Sequence, residues 1–577
     1  MTLIVNVPKI RYQQYFSMDY LLKYGYFDFK YSSRKSNEEY LLSNLVYKEI
    51  FNTEDISKIY LDLKSLHNVK FDSKKVTYPV ELSIFKNDDE RRKIKFPNIY
   101  SYICLCEHLN QEQDIYMDIL YKSKQSLSNR FYSETFLNGK IKRTKNRFGK
   151  RKIFKTDIQH FYPSIYTHSI PWILVGKNEA KKNKSKKNLY YNKLDSLIQR
   201  CQIGETHGIP TGSFATKLIA EIYMCKLDER LSDHKYVRYV DDFEIPYNDV
   251  VKKDSFYKSL SKELSNLNLK IKVEKNEIDR FPFQDGNNSA FFFDYFTNIA
   301  TKISDQRKRI YNFIEESINK EREGHKGSIK LMFRALIDSV KKGVLKEEAF
   351  DKNLHSNLFN LVLMQPILAV LYIEFLDHFK NNDEAILSIK SNKEEIQSNI
   401  NNYIELNYSQ ELFSLLSIFH YLKLDELLPK ETFINIIEQM DDLSAVLSFE
   451  ALLINEDNID FELFEVLETK LHNSISWEDE YWFFKYHVIY KINLDREKKI
   501  YNEFRTFLFE KYGSEGVNKG TFFNQDNLSK IESSINRFWQ NKNSAPDIRN
   551  FFEALIDNKI SFVKINNDGE IKSKGTL

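Results

Sequence analysis

Two adjacent aspartates, Asp241 and Asp242, stand in a segment that is otherwise rich in β-branched and aromatic residues. The segment, residues 236–247, reads Tyr-Val-Arg-Tyr-Val-Asp-Asp-Phe-Glu-Ile-Pro-Tyr. Such residues favour strands, so the pattern predicts two short strands with the acids at the bend between them. In a straight strand neighbouring side chains point to opposite faces. We therefore expect Asp241 to enter a site directly and Asp242 to be the weaker ligand.

A third acid follows another strand-like run. Asp157 closes the run Phe-Lys-Thr-Asp at residues 154–157, and the chain then leaves through Pro163. Hard divalent cations bind carboxylate oxygens, and two-metal phosphoryl transfer needs acids from separate parts of a chain. Asp157 and Asp241 are therefore the candidate ligands of two Mg²⁺ ions.

A turn that contains glycine and proline lies between these acids. Residues 206–213 read Thr-His-Gly-Ile-Pro-Thr-Gly-Ser and open an apolar-periodic helix that we predict for residues 214–227. Glycine lets the backbone approach a ligand closely, and a helix start favours phosphate. Thr211 and Gly212 are therefore candidate substrate-binding residues.

Length and composition limit the domain number and the fold class of the chain. A length of 577 residues predicts two or more domains, and few glycines and prolines indicate long helices. The net charge of +3 implies nothing by itself, but nine of the sixteen residues in 140–155 and six of the eleven in 177–187 are basic. Because both clusters stand beside the acids in sequence, we interpret them as contacts to phosphate.

Several other features argue against alternative classes. The four cysteines have neither the spacing of a metal site nor that of a disulfide framework, which predicts buried thiols in a reducing compartment. The N-terminal residues lack the length and basic start of a secretory signal. The most apolar run, residues 358–376, contains Asn360, Pro366 and Glu374, so we predict a buried helix and no membrane partner.

The order Asp157, then Gly-Ile-Pro-Thr-Gly at 208–212, then Tyr-Val-Asp-Asp at 239–242 resembles motifs A, B and C of reverse transcriptases. The sequence is most similar to the bacterial abortive-infection (Abi) reverse transcriptases, in particular the AbiK-like protein-primed DNA polymerases. This resemblance covers roughly residues 15–300. It rests on Tyr-Thr-His-Ser-Ile-Pro-Trp at 166–172, Glu-Thr-His-Gly-Ile-Pro-Thr-Gly at 205–212, Tyr-Val-Asp-Asp-Phe at 239–243, Arg91-Arg92 with Pro97-Asn98, and Phe-Pro-Phe at 281–283.

The resemblance implies an α+β fold with a reverse-transcriptase-like domain at residues 1–300. Its fingers span about residues 80–150 and its palm about 150–285. From residue 301 to 565 the residues themselves show apolar stripes of period 3.6 separated by short polar turns. We predict an all-α, HEAT-like helical repeat domain there, followed by a polar tail at 566–577.

The resemblance also assigns roles within the site. The metal ligands would be Asp157, Asp241, Asp242 and the backbone carbonyl of Ile158, and Lys275 would be a general acid. Substrate would meet Phe161, Tyr162, Arg91, Lys95, Thr211 and Gly212. Tyr162 stands where a bulky ring excludes a ribose 2′-hydroxyl, and Arg91 and Lys95 stand where a triphosphate is held. For these two cations, ion pairing with the acids at 88–90 is the alternative.

The implied activity is protein-primed, template-independent DNA synthesis from dNTPs by a nucleotidyltransferase in antiphage defence. DNA would grow from a tyrosine hydroxyl, with Tyr40 the matching position and Tyr31 the next, so that single-stranded product stays covalently attached. A homo-oligomer in the bacterial cytoplasm is also implied. The first alternative is a template-directed reverse transcriptase of retron or group II intron type. The second is an interaction scaffold without catalysis.

Overall fold

The computed structural model describes most of the chain, with several gaps. The described residues are 9–27, 30–33, 39–42, 51, 53–87, 90–127, 136–283, 289–297, 302–474, 476–494, 499–512 and 544–563. Within them, no helix has the length and apolar character needed to cross a lipid bilayer. The predicted tail at 566–577 and the predicted domain boundary at residue 300 lie outside the described residues.

The strands form two hairpins and one four-stranded sheet. Their bounds are β1 Lys30–Ser33, β2 Glu39–Leu42, β3 Val80–Asn87, β4 Glu90–Phe96, β5 Lys152–Asp157, β6 Val237–Tyr239, β7 Asp242–Tyr247 and β8 Glu277–Arg280. The β1–β2 and β3–β4 pairs are antiparallel hairpins. The larger sheet has the order β6-β7-β5-β8, and each neighbouring pair in it is antiparallel.

Helices of the first half cover this sheet and the hairpins. They are α1 Met18–Lys23, α2 Glu54–Ser65, α3 Ile99–Gln111, α4 Gln113–Lys122, α5 Phe136–Arg147, α6 Phe161–Ser164, α7 Ser169–Val175, α8 Lys177–Lys182, α9 Tyr190–Arg200, α10 Phe214–Arg230, α11 Val250–Asn266 and α12 Ser289–Asp294. The predicted helix at 214–227 is α10, which begins where the Ser213 hydroxyl accepts the Thr216 N–H. Helix α3 is largely buried and has Asn98 as its N-cap.

Helices alone make up the described second half. They are α13 Ile303–Arg322, α14 Ser328–Lys341, α15 Lys352–Met364, α16 Ala369–Leu376, α17 Asp383–Ser391, α18 Lys393–Glu405, α19 Ser409–Leu422, α20 Lys430–Gln439, α21 Asp442–Ile454, α22 Phe461–Leu471, α23 Trp482–Leu494, α24 Lys499–Tyr512 and α25 Pro546–Asp557. Sequence neighbours such as α20 and α21 pack together, as the apolar stripes predict. The HEAT-like repeat stays a prediction.

One predicted helix was wrong. The apolar run at residues 358–376 is not continuous, because α15 ends at Met364 and α16 begins only at Ala369. Pro366 opens a short 3₁₀ turn between them. Proline has no N–H to donate and disfavours helical backbone at Gln365 before it, so the chain bends there.

The two halves share one apolar core. Phe51 forms an isolated strand bridge with Val563, and the Asn98 side chain donates to the Trp477 carbonyl at 2.8 Å. On strand β3, the Phe85 N–H donates to the Gln410 side chain at 2.8 Å, at the start of α19. The helical half therefore covers the open edge of the β3–β4 hairpin, which would otherwise expose unpaired backbone donors. All four cysteines are buried, as predicted.

Candidate active site

The acidic pair lies at a tight turn of the central sheet, as the sequence predicted. Strand β6 ends at Tyr239, which pairs with Asp242 at the start of β7, so that Val240 and Asp241 form the turn. Val240 takes a left-handed backbone conformation, with φ of 54°. This conformation is rare for a β-branched residue, and it reverses the chain direction between β6 and β7.

Asp157 meets this turn across the sheet. It is the last residue of β5, and its Cα is paired with that of Asp242 on β7. Asp157 is buried, whereas Asp242 is exposed. The bend of the hairpin therefore brings together acids that are more than eighty positions apart in the sequence.

The proximity of these acids is visible in their electrostatics. Burial and the negative charges of Asp157 and Asp242 raise the pKa of Asp241 to about 7. Burial and the charge of Asp157 also raise the pKa of Asp242, against the opposing effect of Lys275 and Arg143. The Asp157 Oδ1 atom is buried and accepts no hydrogen bond. The cluster thus holds negative charge and an unsatisfied acceptor that a cation would stabilise.

Two basic side chains reach the acids. Lys275 lies in the 3₁₀ turn Val273–Lys275, and its Nζ forms an ion pair with Asp157 Oδ2. This ion pair and the charges of the other two acids raise the pKa of Lys275. Arg143, on the basic helix α5, stands close enough for its charge to act on Asp242. The structure therefore brings Lys275 to the site, and it adds Arg143 from the basic run at residues 140–155.

The donor set fits Mg²⁺. Among the described residues, no group of three or more His, Cys, Asp or Glu side chains converges as a metal site. Mg²⁺, however, is commonly held by one or two carboxylates together with water and substrate phosphates. Asp157 and Asp241 supply such a pair, with the orphaned Asp157 Oδ1 as the clearest ligand atom. Ile158 and Ile271 form an isolated antiparallel bridge, and the hydrogen bonds of this bridge run between the residues on either side of the pair. The Ile158 carbonyl therefore points away from Ile271.

The glycine-containing loop packs beside the segment that follows Asp157. The Gly208 N–H donates to the Ile165 carbonyl at 2.9 Å and the Ile209 N–H to the Tyr162 carbonyl at 3.2 Å. Gly208 has φ of 77°, and an added Cβ would lie 3.3 Å from the Pro163 backbone. Phe161 is buried, and Tyr162 is half-buried against it with ring centroids 5.2 Å apart. Tyr162 thus belongs to the wall that joins Asp157 to the loop.

The second half of the loop is bound to strand β4. The Lys95 N–H donates to the Thr211 carbonyl at 2.8 Å, and the Thr211 hydroxyl donates to the Lys93 carbonyl at 3.1 Å. At Gly212 an added Cβ would lie 2.8 Å from both Ile94 and Phe96. The glycine is therefore required by the approach of β4, and Thr211 already has partners on that strand.

Arg91 and Lys95, predicted to hold a triphosphate, are engaged elsewhere in this structure. The Arg91 guanidinium forms two hydrogen bonds of 2.6 Å with the Glu411 carboxylate and stacks 3.9 Å above the Tyr408 ring. Lys95 pairs with Glu81 at 3.2 Å and with Glu205 at 3.1 Å. Glu411 stands 320 residues from Arg91 in the sequence. Of the acids at 88–90 that were its alternative partners, Glu90 pairs with Lys86, and Asp88 and Asp89 lie outside the described residues.

Tyr40, the predicted priming residue, lies on β2 opposite Ser32 of β1. Tyr31 lies on β1 of the same hairpin, opposite Leu41. The side chains of both tyrosines fall outside the part of the chain that the structure describes, so the priming assignment stays a prediction.

Sequence reasoning missed Arg238. This arginine stands three residues before Asp241, is fully buried, and donates to the Val240 carbonyl at 2.7 Å. Read in a strand-like pattern, an arginine between Val237 and Tyr239 passes for an exposed residue. Its partners, Glu221 and Asp228, lie seven residues apart on α10, which is two helical turns. The available signal was this spacing, which places both acids on one face of the helix.

No family model and no curated protein matches this sequence. Solved structures that resemble the fold include apo telomerase from Candida tropicalis, at 12% identity and a TM-score of 0.32, covering 65% of this chain and 75% of that one. Telomerase from Candida albicans in complex with a TWJ fragment of telomeric RNA matches at 14% identity and 0.26, covering 65% and 72%. The corresponding Candida tropicalis complex matches at 13% and 0.27, covering 63% and 70%.

Proposed function

We propose that this protein is a metal-dependent nucleotidyltransferase that polymerises deoxynucleotides at the Asp157–Asp241 cluster. The observation that carries the proposal is the meeting of these two carboxylates at one end of the sheet, with a buried, unsatisfied Asp157 oxygen between strands. Carboxylates crowded in this way repel each other unless a cation lies between them.

The chain's own residues would divide the work as follows. Asp157 and Asp241 hold Mg²⁺, and Asp242 adds negative charge at the exposed side. Once bound, the two Mg²⁺ ions lower the pKa of the attacking hydroxyl and neutralise charge on the triphosphate. Lys275, beside Asp157, donates a proton to the departing pyrophosphate. Arg143 on helix α5, whose Nε also lies 3.6 Å from a Glu244 carboxylate oxygen, is the arginine near Asp242 that would contact phosphate.

Two features support deoxynucleotide substrates and synthesis without a template. The half-buried Tyr162 ring, close to Asp157 in sequence and tied to the loop at Ile209, suits exclusion of a 2′-hydroxyl. Thr211, where reverse transcriptases usually carry a glutamine that touches the templating pair, is bound to β4 on both its carbonyl and its hydroxyl. These Thr211 groups are therefore not available to contact a templating base pair.

Priming on a tyrosine of the chain and a role in abortive infection rest on the Abi resemblance of the motifs. Under this proposal DNA grows from Tyr40, the product stays attached to the protein, and the active form is a homo-oligomer. The basic runs at residues 140–155 and 177–187 then hold the growing strand by contacts to phosphate.

One experiment tests activity and priming together. Purified full-length protein is incubated with a single radiolabelled dNTP and Mg²⁺, without nucleic acid, and resolved on a denaturing gel. We expect label on the polypeptide, its loss in Asp157→Asn and Asp241→Asn, and its loss in Tyr40→Phe but not in the matched control Tyr31→Phe. Incorporation only after a primed template is added would favour a template-directed reverse transcriptase. An absence of label in every condition would contradict the proposed function.

A further inference from the structure

Arg238 lies directly behind the turn that carries Asp241, and its guanidinium is fully occupied. It contacts Glu221 at 2.9 and 3.1 Å and Asp228 at 2.8 and 3.1 Å. Its remaining strong contact is the donation from Nη1 to the Val240 carbonyl at 2.7 Å. None of these side chains is exposed. The arginine therefore joins helix α10 to the backbone immediately before Asp241.

The buried charges around Arg238 are satisfied from several sides. Asp228 also accepts from the Tyr236 hydroxyl and from the Ser123 hydroxyl, each at 2.8 Å. Glu221 accepts from the Ser126 hydroxyl at 2.6 Å. A network whose members are all hydrogen-bonded is rigid, because any rotation leaves a buried charge unpaired. Buried ion pairs add little net stability compared with apolar packing, which favours a role in fixing geometry.

The turn that Arg238 supports is itself strained. Val240 has φ of 54°, a left-handed conformation that is unfavourable for a β-branched side chain. A non-glycine residue keeps such a conformation only when surrounding contacts impose it. The bond from Arg238 to the Val240 carbonyl is a contact in the right place to do so.

Helix α10 also carries the glycine-containing loop. It begins at Phe214, two residues after Gly212, which β4 approaches closely. The same rigid helix therefore positions the loop at its N-terminus and, through Glu221 and Asp228, the turn behind Asp241. A shift of the loop would be transmitted to the acid cluster through one helix and one side chain.

We propose that Arg238 is the positioning residue of the metal site: through the Val240 carbonyl it holds Asp241 at the separation from Asp157 that a shared divalent cation requires. This inference rests on the proposed function of the Asp157–Asp241 cluster. It assigns to Arg238 no contact with substrate or metal.

The test measures Mn²⁺ binding to the full chain by electron paramagnetic resonance, with thermal unfolding of the same samples. Arg238→Lys keeps the charge but loses the fork that reaches two carboxylates and a carbonyl at once. We expect Mn²⁺ affinity to fall about 10- to 100-fold, as when a residue that orients a metal ligand is lost. Glu221→Gln, which preserves shape and Arg238, should weaken binding less.

Two further variants separate positioning from general destabilisation. Glu450→Gln breaks a buried ion-pair network in the helical half, where Glu450 contacts His487 at 2.5 Å and Lys491 at 2.8 Å. It should lower the melting temperature without changing Mn²⁺ affinity. Adding Val240→Gly to Arg238→Lys should restore part of the lost affinity, because glycine adopts positive φ without support.

The outcomes are distinguishable. Wild-type Mn²⁺ affinity in folded Arg238→Lys and Glu221→Gln would overturn the positioning role and leave the proposed function intact. A loss of affinity that Val240→Gly does not restore, and that Glu450→Gln reproduces at equal destabilisation, would also overturn it. Equal Mn²⁺ binding by the wild type and Asp241→Asn would instead contradict the proposed function itself.

Discussion

The central sheet and the helical half use unusual backbone conformations for different purposes. Around the sheet, positive φ values occur at Val240, His160 and Gly208, in turns that bring acids and loop together. In the helical half they occur at Asn407, Lys423 and Lys559, just after α18, α19 and α25 end. At these three positions the left-handed residue follows the end of a helix. The left-handed conformation of Val240 instead shapes the turn that carries Asp241.

Two buried carboxylates show the same contrast. Burial would raise the pKa of Glu450 in α21, but Lys491 and His487 outweigh it and lower the pKa to about 2. In the sheet, burial and neighbouring acids raise the pKa of Asp241 to about 7. The helical half therefore pairs its buried charge within the chain. At the acid cluster Lys275 pairs with Asp157, yet burial and the neighbouring carboxylates still raise the pKa of Asp241, as expected of a site that binds a cation.

The largest expected effect is at Asp241. Asp241→Asn should reduce dNTP incorporation on the order of 10³-fold, because a metal-ligand charge is lost. The free energy of unfolding at pH 7 should rise by about 1–2 kcal/mol, since the repulsion with Asp157 disappears. The matched control is Asp249→Asn, where Asp249 caps α11 and asparagine caps equally well. A loss of activity in the control, or a loss of stability in Asp241→Asn, would contradict this contrast between the two regions.

The helical half should show the reverse pattern. Leu447, in α21, is fully buried, so Leu447→Ala should lower the free energy of unfolding by about 2–5 kcal/mol in a denaturant titration. Mn²⁺ affinity at the acid cluster should not change while the protein stays folded. A parallel loss of Mn²⁺ affinity in folded protein would mean that the two regions are coupled more tightly than this contrast allows.

A smaller effect is expected where β4 meets the loop. In Gly212→Ala the new Cβ would lie 2.8 Å from Ile94 and Phe96, so stability should fall by about 1–3 kcal/mol and dNTP incorporation should fall with it. Gly139→Ala on α5 is the control, because its Cβ meets nothing within 4 Å and alanine favours a helix by up to about 1 kcal/mol. Equal thermal shifts in the two variants would contradict the close approach of β4.

A further effect, absent at neutral pH, should be common to both regions. Burial lowers the pKa of His108 in α3 to about 3 and that of His355 in α15 to about 4. Below pH 6.5 these two histidines are protonated in the unfolded chain but stay neutral in the folded protein. The free energy of unfolding therefore falls as pH falls. The slope from each is at most about 1.4 kcal/mol per pH unit. His108→Gln and His355→Gln should each flatten the dependence between pH 6.5 and 4, and an unchanged slope would contradict burial of the neutral ring.

The sequence predicted those features of the site that depend on residues close together in the chain. The bend at Val240-Asp241, the strand that ends at Asp157 and the helix after Ser213 all follow from nearby residues, and the structure has them in place. The features that were not predicted depend on contacts between residues far apart in the sequence. Arg91 was assigned to phosphate because nothing near it in sequence indicates that Glu411 would reach it. Arg238 went unnoticed because a buried cation on a strand is recognisable only once Glu221 and Asp228 are seen beneath it.

The central claim is that Asp157 and Asp241 share a divalent cation, and anomalous diffraction from crystals grown with Mn²⁺ tests it most directly. The account predicts an anomalous peak about 2.1 Å from both Asp157 Oδ1 and an Asp241 carboxylate oxygen, lost in Asp241→Asn. A peak bound only by other residues, or none at saturating Mn²⁺ in protein that incorporates dNTPs, would contradict it.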